Sequence, residues 1–433
     1  MNREREHQKL AFVLGNYVKW VLFKAQKHGI ERLYFLSRDG YLLWKMGQIL
    51  CRRFKIAIEC RYLCCSRYSL NLPAFCLNEI SGMDYLCRGG TDVTLSKILD
   101  RSGLKEQEKK EVLDKLDASN WCDEKLSKEK LIKVRSQLET CSLFLEFVRR
   151  HSKKALQSIS GYLMQEGLLE TVSFAIVDSG WSGTTQDTLN RLLEYMGRKE
   201  LLKGYYFGLY ELPSNTKRAA YHSYYFSPET HLFRKVFFSN CFFEAVYTAP
   251  HGTTIGYQNI GGIYQPLFAK DRRKKQNVCK DISHACVRYA SSCASLHLTN
   301  FQKEKRRTER ILGKIMSAPS RQQAKYYGNI SFSDDVNGEG EQVLARPMTD
   351  SQLNHYHFFP MLYRKVKKEK SWIPESAWYP GSAVLYGKHP AWHLYGYTLF
   401  QTARYFFKIQ KEKRKRRKES SCSCHQKQNS MHS

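Results

Sequence analysis

The sequence lacks any apolar run long enough to cross a bilayer. The best candidate, residues 10–23, is interrupted by Lys19, and a membrane-spanning helix needs about 20 apolar residues. The first nine residues are charged, and no apolar core of secretory type follows them. We therefore expect neither a transmembrane span nor a signal peptide.

Paired cysteine spacings are also missing, although the chain has 14 cysteines. There is no CxxC pair and no regular disulfide framework. A structural zinc site would need a two-plus-two arrangement of ligands that this sequence does not show. The pattern is typical of a reduced, cytoplasmic protein with mostly buried thiols.

Acidic residues are scarce relative to basic ones. Against 70 Lys and Arg there are 41 Asp and Glu, which gives a formal net charge of +29. This excess predicts an anionic partner, and three classes fit: nucleic acid, an anionic membrane face or a phosphorylated substrate. The length of 433 residues predicts two or three domains or subdomains.

Short apolar runs that alternate with helical periods predict an α/β fold with an open, mainly parallel sheet. Residues 33–36 and 56–65 are strand-like, and residues 41–54 between them have a helical period. Each predicted strand ends in a polar loop, which is the order of a parallel α/β sheet. Residues 171–177 and 204–209 resume the strand pattern after a long helical interruption.

These changes of pattern predict the domain organisation. We expect an α/β domain in two parts, residues 1–90 and 171–265, separated by a large helical insertion over residues 91–170. Residues 266–409 are predicted to form a mainly helical, α+β C-terminal region. The remaining residues, 410–433, are predicted to be a basic, disordered tail.

The strongest candidate motif is FAIVDSGWSGTT, residues 174–185. It combines an apolar strand with a loop of small residues, so the loop can offer backbone N–H groups and hydroxyls to a phosphate at a helix N-terminus. Asp178, at the carboxyl end of the strand, can accept hydrogen bonds from ribose hydroxyls. A plain turn that caps a helix is the alternative. The predicted substrate-binding residues of this motif are Asp178, Ser179, Gly180, Ser182, Gly183, Thr184 and Thr185.

Charged loops follow two further predicted strands. Because the carboxyl ends of parallel strands share one edge of a sheet, we expect these loops to converge with Asp178. Two arginines suit a pyrophosphate, and Asp39 and Asp178 suit Mg²⁺. Surface ion pairs are the alternative for each arginine. The residues that these loops contribute to the predicted site are Ser37, Arg38, Asp39, Gly40 and Arg67.

The loop at residues 177–185 resembles the motif with which type I phosphoribosyltransferases bind 5-phosphoribosyl 1-diphosphate (PRPP). Residues 37–40 resemble the pyrophosphate loop of that fold, and Arg67 stands where its second strand often offers a basic residue. The resemblance implies a phosphoribosyltransferase-like sheet. Two positions differ from the motif: Val177 replaces the first acidic residue, and Trp181 stands where an acidic base often lies.

A wider resemblance rests on residues 33–41 and 178–184, on Phe243-Glu244 with Ala249-Pro250, and on residues 378–382. These runs are similar to those of a bacterial family from surface-polysaccharide gene clusters, which includes ribofuranosyltransferase modules of capsule and O-antigen systems. The resemblance implies transfer of 5-phosphoribosyl from PRPP to a glycan acceptor, free or lipid-linked, with Mg²⁺ and release of pyrophosphate. Members are often fused to a HAD-type phosphatase. This chain has no N-terminal DxDx motif, so we expect a separate HAD-type phosphatase as a partner.

The general base that the acceptor hydroxyl needs has two candidates, Asp39 and Glu244. An ordinary ion pair is the alternative for Glu244. His251, beside a Gly-Thr-Thr run, is better interpreted as a loop histidine with a local hydrogen bond than as a ligand.

Four aromatic residues, Phe400, Tyr405, Phe406 and Phe407, lie just before the basic run at residues 411–418. This order predicts an interfacial anchor on an anionic cytoplasmic leaflet, and hence a cytoplasmic protein peripheral on the inner face of the plasma membrane. A solvated basic tail, or one that touches RNA without specificity, is the alternative.

Two other functions stay open. A non-catalytic, sugar-phosphate-binding scaffold of a polysaccharide synthesis complex is favoured by the reduced acidic motif. A basic nucleic-acid-binding protein is favoured by the net charge. The sequence shows no recognised nucleic-acid module, so no specific nucleic-acid partner is expected.

Overall fold

The computed structural model describes residues 1–89, 93–214, 216–270, 277–296, 301–332, 342–367 and 376–429. At its centre lies a parallel sheet whose strands follow the order β2-β1-β3-β4-β5. These strands are β1 (Arg32–Leu36), β2 (Glu59–Leu63), β3 (Phe174–Asp178), β4 (Lys203–Gly208) and β5 (Tyr221–Phe226). The predicted α/β class with a mainly parallel sheet is confirmed.

Helices pack around the sheet, and in the chain they lie before, between and after its strands. They are α1 (Arg3–Lys27), α2 (Gly40–Arg53), α3 (Arg67–Ala74), α4 (Glu79–Leu86), α5 (Leu95–Arg101), α6 (Glu106–Lys115), α7 (Lys128–Thr140), α8 (Ser142–Gln165), α9 (Thr184–Tyr195), α10 (Leu232–Val236), α11 (Asn240–Val246), α12 (Asn277–Ser291), α13 (Phe301–Ser317), α14 (Arg321–Gly328), α15 (Asp350–Asn354), α16 (Phe358–Lys367), α17 (Tyr379–Tyr386) and α18 (Pro390–Asn429). Two short antiparallel pairs complete the fold: β6 (Thr254–Ile260) with β7 (Ile263–Phe268), and β8 (Ser331–Phe332) with β9 (Gln342–Val343).

Both faces of the sheet are covered, which explains why β1 and β3 contain continuous apolar runs. Leu33 and Phe35 of β1 point into a core shared with α1, α2, α12 and α13. Tyr34 and Leu36, one residue along, point into a second core shared with α3, α8 and α9. This alternation follows from the two-residue period of a strand.

The helical insertion has a hydrophobic core of its own, which extends from Phe75 to Val148. The sequence predicted an insertion from residue 91 to residue 170, whereas this core begins and ends earlier in the chain. Residue 91 itself lies outside the described residues. Helix α8 belongs to both units. Its first half packs in the insertion, whereas Leu156 and Leu163 in its second half pack against the sheet.

The predicted boundary after residue 265 does not separate two packing units. Ile282 of α12 and Leu312 of α13 belong to the same core as the sheet and α1. The sequence could not show this shared core, because amphipathic periodicity identifies the apolar face of a helix but not the surface against which that face packs.

The sequence predicts a disordered tail over residues 410–433, whereas in the structure α18 continues to Asn429. Glu412, inside the basic run, and Glu419, directly after it, pair with Arg218 at 3.7 Å and 2.7 Å. Lys415 Nζ also donates to the carbonyl of Leu212 at 2.5 Å. Contacts with distant residues therefore hold a segment that composition alone assigns to disorder.

Within the described ranges, no helix is long and apolar enough to cross a membrane. The cysteines from Cys51 to Cys293, among them the neighbours Cys64 and Cys65, are free thiols that are buried or partly buried.

Candidate functional site

A cavity of about 1190 Å³ opens at the carboxyl edge of the sheet. Its floor lies where β1 and β3 are neighbours, which is the point where the strand order reverses and where open α/β sheets bind ligands. The predicted site residues that line this cavity are Ser37, Arg38, Asp39, Arg67, Asp178, Gly180, Ser182, Gly183, Thr184, Thr185 and Glu244. Two predicted residues lie behind the wall: Gly40 begins α2, and Ser179 is buried.

The loop after β3 is held firmly against the end of β4. Gly208 N donates to the carbonyl of Ser179 at 3.1 Å, and Tyr210 N donates to the carbonyl of Trp181 at 2.8 Å. Gly180 adopts a φ of 140°, and a Cβ there would lie 2.1 Å from the carbonyl oxygen of Gly208. Only glycine allows this close approach.

The same loop ends at the N-terminus of α9. Gly183 has a φ of 67° and is the last residue before the helix, which begins at Thr184. The first N–H groups of a helix have no partner within it, and its dipole favours an anion there. Ser182 Oγ lies 3.2 Å from Thr184 Oγ1, so hydroxyls and backbone amides stand together at the cavity wall. This arrangement can hold a phosphate.

Carboxyl groups meet beside that loop. Ser179 connects two of them, because its N–H donates to Asp178 Oδ1 at 2.8 Å and its hydroxyl donates to Asp39 Oδ2. Burial, together with the negative charges of Asp39 and Glu244, raises the pKa of Asp178 to about 8, whereas the Ser179 N–H and Arg67 oppose the rise. A cation would relieve this repulsion.

The carboxyl pair fits Mg²⁺ only together with a ligand. Among the described residues, no group of three or more His, Cys, Asp or Glu side chains could hold a metal ion. Mg²⁺ in phosphate-handling sites is commonly held by one or two carboxylates plus phosphate oxygens and water. Asp39 and Asp178 are the residues that could supply that smaller set.

Basic residues that the sequence did not single out complete the cavity. The insertion contributes Arg88, Lys97 and Arg101, and α18 contributes Arg404 and Lys408. Burial lowers the pKa of Arg88, and the positive charge of Arg67 lowers it further. Cationic crowding of this kind favours a ligand with several negative charges.

Trp181 brings a third carboxylate to the site. Its indole Nε1 donates to Glu244 Oε1 at 2.6 Å. The centroid of its ring lies 5.0 Å from that of Phe238 and 5.7 Å from that of Phe243. Glu244 is on α11, more than 60 residues along the chain. Trp181 therefore orients a carboxylate from another element.

One face of α18 forms the wall opposite the sheet. Leu394, Tyr397, Gln401, Arg404 and Lys408 line the cavity and recur at helical spacing. Tyr405, which the sequence assigned to a membrane anchor, also lines it and stacks on Tyr210 with ring centroids 5.2 Å apart. The periodicity of this segment indicates an amphipathic helix, but it does not show that the helix lines a cavity.

His251 makes the local hydrogen bond expected of it. Its Nδ1 is 2.8 Å from the carbonyl oxygen of Gly252, and its Nε2 is 2.8 Å from the hydroxyl of Tyr62. Both ring nitrogens are thus engaged within the fold.

Comparison with known proteins adds no family to these observations. No protein-family model matches the chain, and no curated protein matches it.

Proposed function

We propose that this chain is a PRPP-dependent glycosyltransferase that moves 5-phosphoribosyl to a glycan acceptor in capsule or O-antigen synthesis. The observation that carries the proposal is the convergence of Arg38, Asp39, Arg67, Asp178 and the loop at residues 182–185 on one cavity. The strand order, with the cavity at the β1/β3 edge, supports a phosphoribosyltransferase-like sheet.

In the proposed complex the donor has one orientation. Its 5-phosphate would bind at the N-terminus of α9, and its ribose hydroxyls would donate to Asp178. Arg38 and Arg67 would then lie at the pyrophosphate, where negative charge grows as the leaving group departs. Asp39 and Asp178 would hold Mg²⁺, which supplies further positive charge at the pyrophosphate.

The cavity is large enough for a second substrate. Pockets for a single small molecule usually have a volume of about 300–1,000 Å³, and this one has about 1190 Å³. The wall from α18, with Tyr397 and Tyr405, would contact the acceptor, because aromatic rings pack well against sugars.

In the proposed reaction the bond between ribose C1 and the pyrophosphate oxygen breaks, and a bond from C1 to the acceptor oxygen forms. The centre at C1 is oxocarbenium-like, as in other glycosyl transfers. The acceptor hydroxyl gives its proton to a base. We favour Glu244 over Asp39, because Asp39 is proposed as a metal ligand, whereas the carboxylate of Glu244, which accepts from the indole of Trp181, has no other role in the proposed reaction.

The direct test is incubation of the purified chain with PRPP, Mg²⁺ and lipid-linked glycan acceptors. We expect release of pyrophosphate and addition of one pentose phosphate to the acceptor, measured by a coupled pyrophosphate assay and by mass spectrometry. Tight PRPP binding without turnover on any acceptor would instead identify a scaffold. No PRPP binding at all would refute the assigned donor site.

Replacing Gly183 by alanine should weaken PRPP binding about tenfold or more. An L-residue at a φ of 67° is strained by about 1–2 kcal/mol, and the new Cβ would lie 2.7 Å from the ring of Tyr221. Relief of either conflict moves the amides at the start of α9. Calorimetric titration with PRPP measures the effect.

Gly197 offers a matched control. It has a φ of 97°, and a Cβ there would meet nothing within 4 Å. Gly197→Ala should destabilise the chain by a similar strain but leave PRPP affinity unchanged. Equal losses of affinity in both variants would show that general destabilisation, and not the loop geometry, is responsible.

A further inference from the structure

Helix α18 has two opposite faces. The inner face contains the residues that line the cavity, from Leu394 to Lys408. The outer face contains Trp392, Tyr395, Leu399 and Phe406, at intervals of three, four and seven residues. A shift of two residues, from 392 to 394, is a rotation of about 200° around a helix, so the two sets point in nearly opposite directions.

The outer face is apolar and exposed. Trp392 is 60% exposed and Tyr395 61%, and Leu399 and Phe406 are exposed as well. Phe407, next to this face, is 70% exposed. Helix α16 packs against α18 and exposes Phe359, Leu362 and Tyr363. Large rings gathered in this way are uncommon on a surface that meets only water, and they mark a binding face.

Basic residues continue the same face of α18. Lys413, Arg414 and Arg417 are exposed and follow Phe406 after seven, eight and eleven residues, which keeps them on the outer side of the helix. The neighbouring carboxylate of Glu229 pairs with Arg218 at 2.8 Å and with Arg416 at 3.7 Å. The outer face is therefore aromatic at its beginning and cationic at its end.

We propose that the outer face of α18 docks on the surface of an anionic bilayer. Tryptophan and tyrosine favour the headgroup level of a membrane, and lysine and arginine beside them are attracted to anionic lipid. The docking face begins at Trp392, so it differs from the sequence expectation, in which Tyr405 was part of the anchor. This docking does not require the proposed enzymatic activity.

If the donor site is as proposed, docking would also set the position of the acceptor. The wall that faces the cavity and the face on the bilayer would be separated by one helix, a diameter of about 10 Å. A sugar carried by a lipid could then reach the cavity while its lipid stays in the membrane. This step alone rests on the proposed function.

The test is co-sedimentation of the full chain with vesicles. We expect binding to phosphatidylcholine vesicles that contain phosphatidylglycerol and much weaker binding to phosphatidylcholine alone. The double variant Trp392→Ala/Tyr395→Ala should bind at least about tenfold more weakly, because two rings lose their burial in the interface. Tyr195→Ala is the matched control, since Tyr195 is 60% exposed but lies on α9, and it should bind like the unmodified chain.

A second pair of variants distinguishes the effect of the basic residues on the outer face from the effect of the net charge of the chain. Changing Lys413, Arg414 and Arg417 to glutamine should weaken binding to the anionic vesicles roughly 100-fold, because each basic residue at such a surface contributes about fivefold. The triple change of Lys110, Lys115 and Lys133, exposed on α6 and α7, removes the same net charge and should have little effect. Equal losses in the two triple variants would overturn the proposal.

RNA binding distinguishes the remaining alternative. If the Lys413, Arg414 and Arg417 changes abolished binding to a single-stranded RNA oligonucleotide but left vesicle binding intact, the face would be a nucleic-acid contact and the proposal would be wrong. Pyrophosphate release with a soluble acceptor needs no vesicle, so failure of docking and failure of the enzymatic proposal can be told apart.

Discussion

Replacing Asp178 by asparagine should nearly abolish PRPP binding and, at the same time, stabilise the folded chain near neutral pH and above. The two effects have one cause. The carboxyl group lies beside Asp39 and Glu244 in a poorly solvated position, so its ionised form is costly until a ligand or cation compensates it. Asparagine removes the charge and keeps an oxygen that can accept from the N–H of Ser179.

The stability effect has a defined direction. The pKa of Asp178 is about 8 in the folded chain, against an ordinary value of 3.8. Between these values the folded chain holds a proton that the unfolded chain releases, so this group makes stability fall as pH rises, until the fall ends near pH 8. We expect Asp178→Asn to be more stable than the unmodified chain by roughly 2–5 kcal/mol near pH 8, and about equal to it near pH 4. Urea unfolding across this range measures the difference.

The binding effect has the opposite sign. Ribose hydroxyls and Mg²⁺ need the carboxylate, so PRPP affinity of the unmodified chain should rise as pH increases toward 8 and then level off. Loss of the charged hydrogen bonds should cost Asp178→Asn about 100-fold in affinity. Calorimetric titration near neutral pH and above it gives both the slope and the loss.

Asp187 provides the matched control for the binding effect. It is in the first turn of α9, and burial raises its pKa as well, with Arg191 opposing the rise. Asp187→Asn should leave PRPP affinity unchanged. Undiminished affinity in Asp178→Asn, or an equal loss in Asp187→Asn, would show that Asp178 is not a donor-binding residue.

Replacing Glu244 by glutamine should reduce turnover by about 10²- to 10⁴-fold, the range for loss of a general base, with PRPP affinity nearly unchanged. Glutamine keeps an oxygen for the indole of Trp181, so the local packing should survive. Trp181→Phe keeps an aromatic ring but removes the indole donor, whose hydrogen bond to Glu244 is 2.6 Å long, and it should lower turnover by a smaller factor, about tenfold. Steady-state kinetics with saturating PRPP and direct PRPP titration together measure these effects.

Two further variants identify the base. Asp39→Asn should mainly weaken the binding of PRPP with Mg²⁺, because Asp39 is proposed as a metal ligand. Glu211, which also lines the cavity, is the matched control, and Glu211→Gln should retain most of the turnover. If Asp39→Asn abolished turnover with PRPP affinity intact while Glu244→Gln stayed active, Asp39 would be the base.

Part of this site could be predicted from the sequence, because it depends on residues that are neighbours in the chain. The strands β1 and β3 are short, continuously apolar and followed by polar loops, and each of these features depends on neighbours along the chain. Because parallel strands end at one edge of a sheet, the strand pattern was enough to predict that Arg38, Asp39 and Asp178 lie together. The Gly-Ser-Thr composition likewise indicated a tight loop at the start of α9.

Other parts of the site depend on segments that are far apart in the chain. Trp181 and Glu244 form a hydrogen bond across 63 residues, and Arg67 shares the cavity with Lys408, a residue from the last helix. No local pattern carries such information, because the spacing of apolar residues shows that a helix is amphipathic and not which partner it meets. The insertion's basic residues were missed for the same reason.

Strand pattern and loop composition by themselves determined the α/β class, the parallel direction of the central strands and the residues at their carboxyl ends. Tertiary structure alone decided that α18 forms a wall of the cavity, that Tyr405 lies inside it, and that the basic segment extends as a helix held by Arg218. The physical reason is the range of the interactions: backbone geometry and apolar periodicity act over a few residues, whereas packing and ion pairing join residues about 200 positions apart.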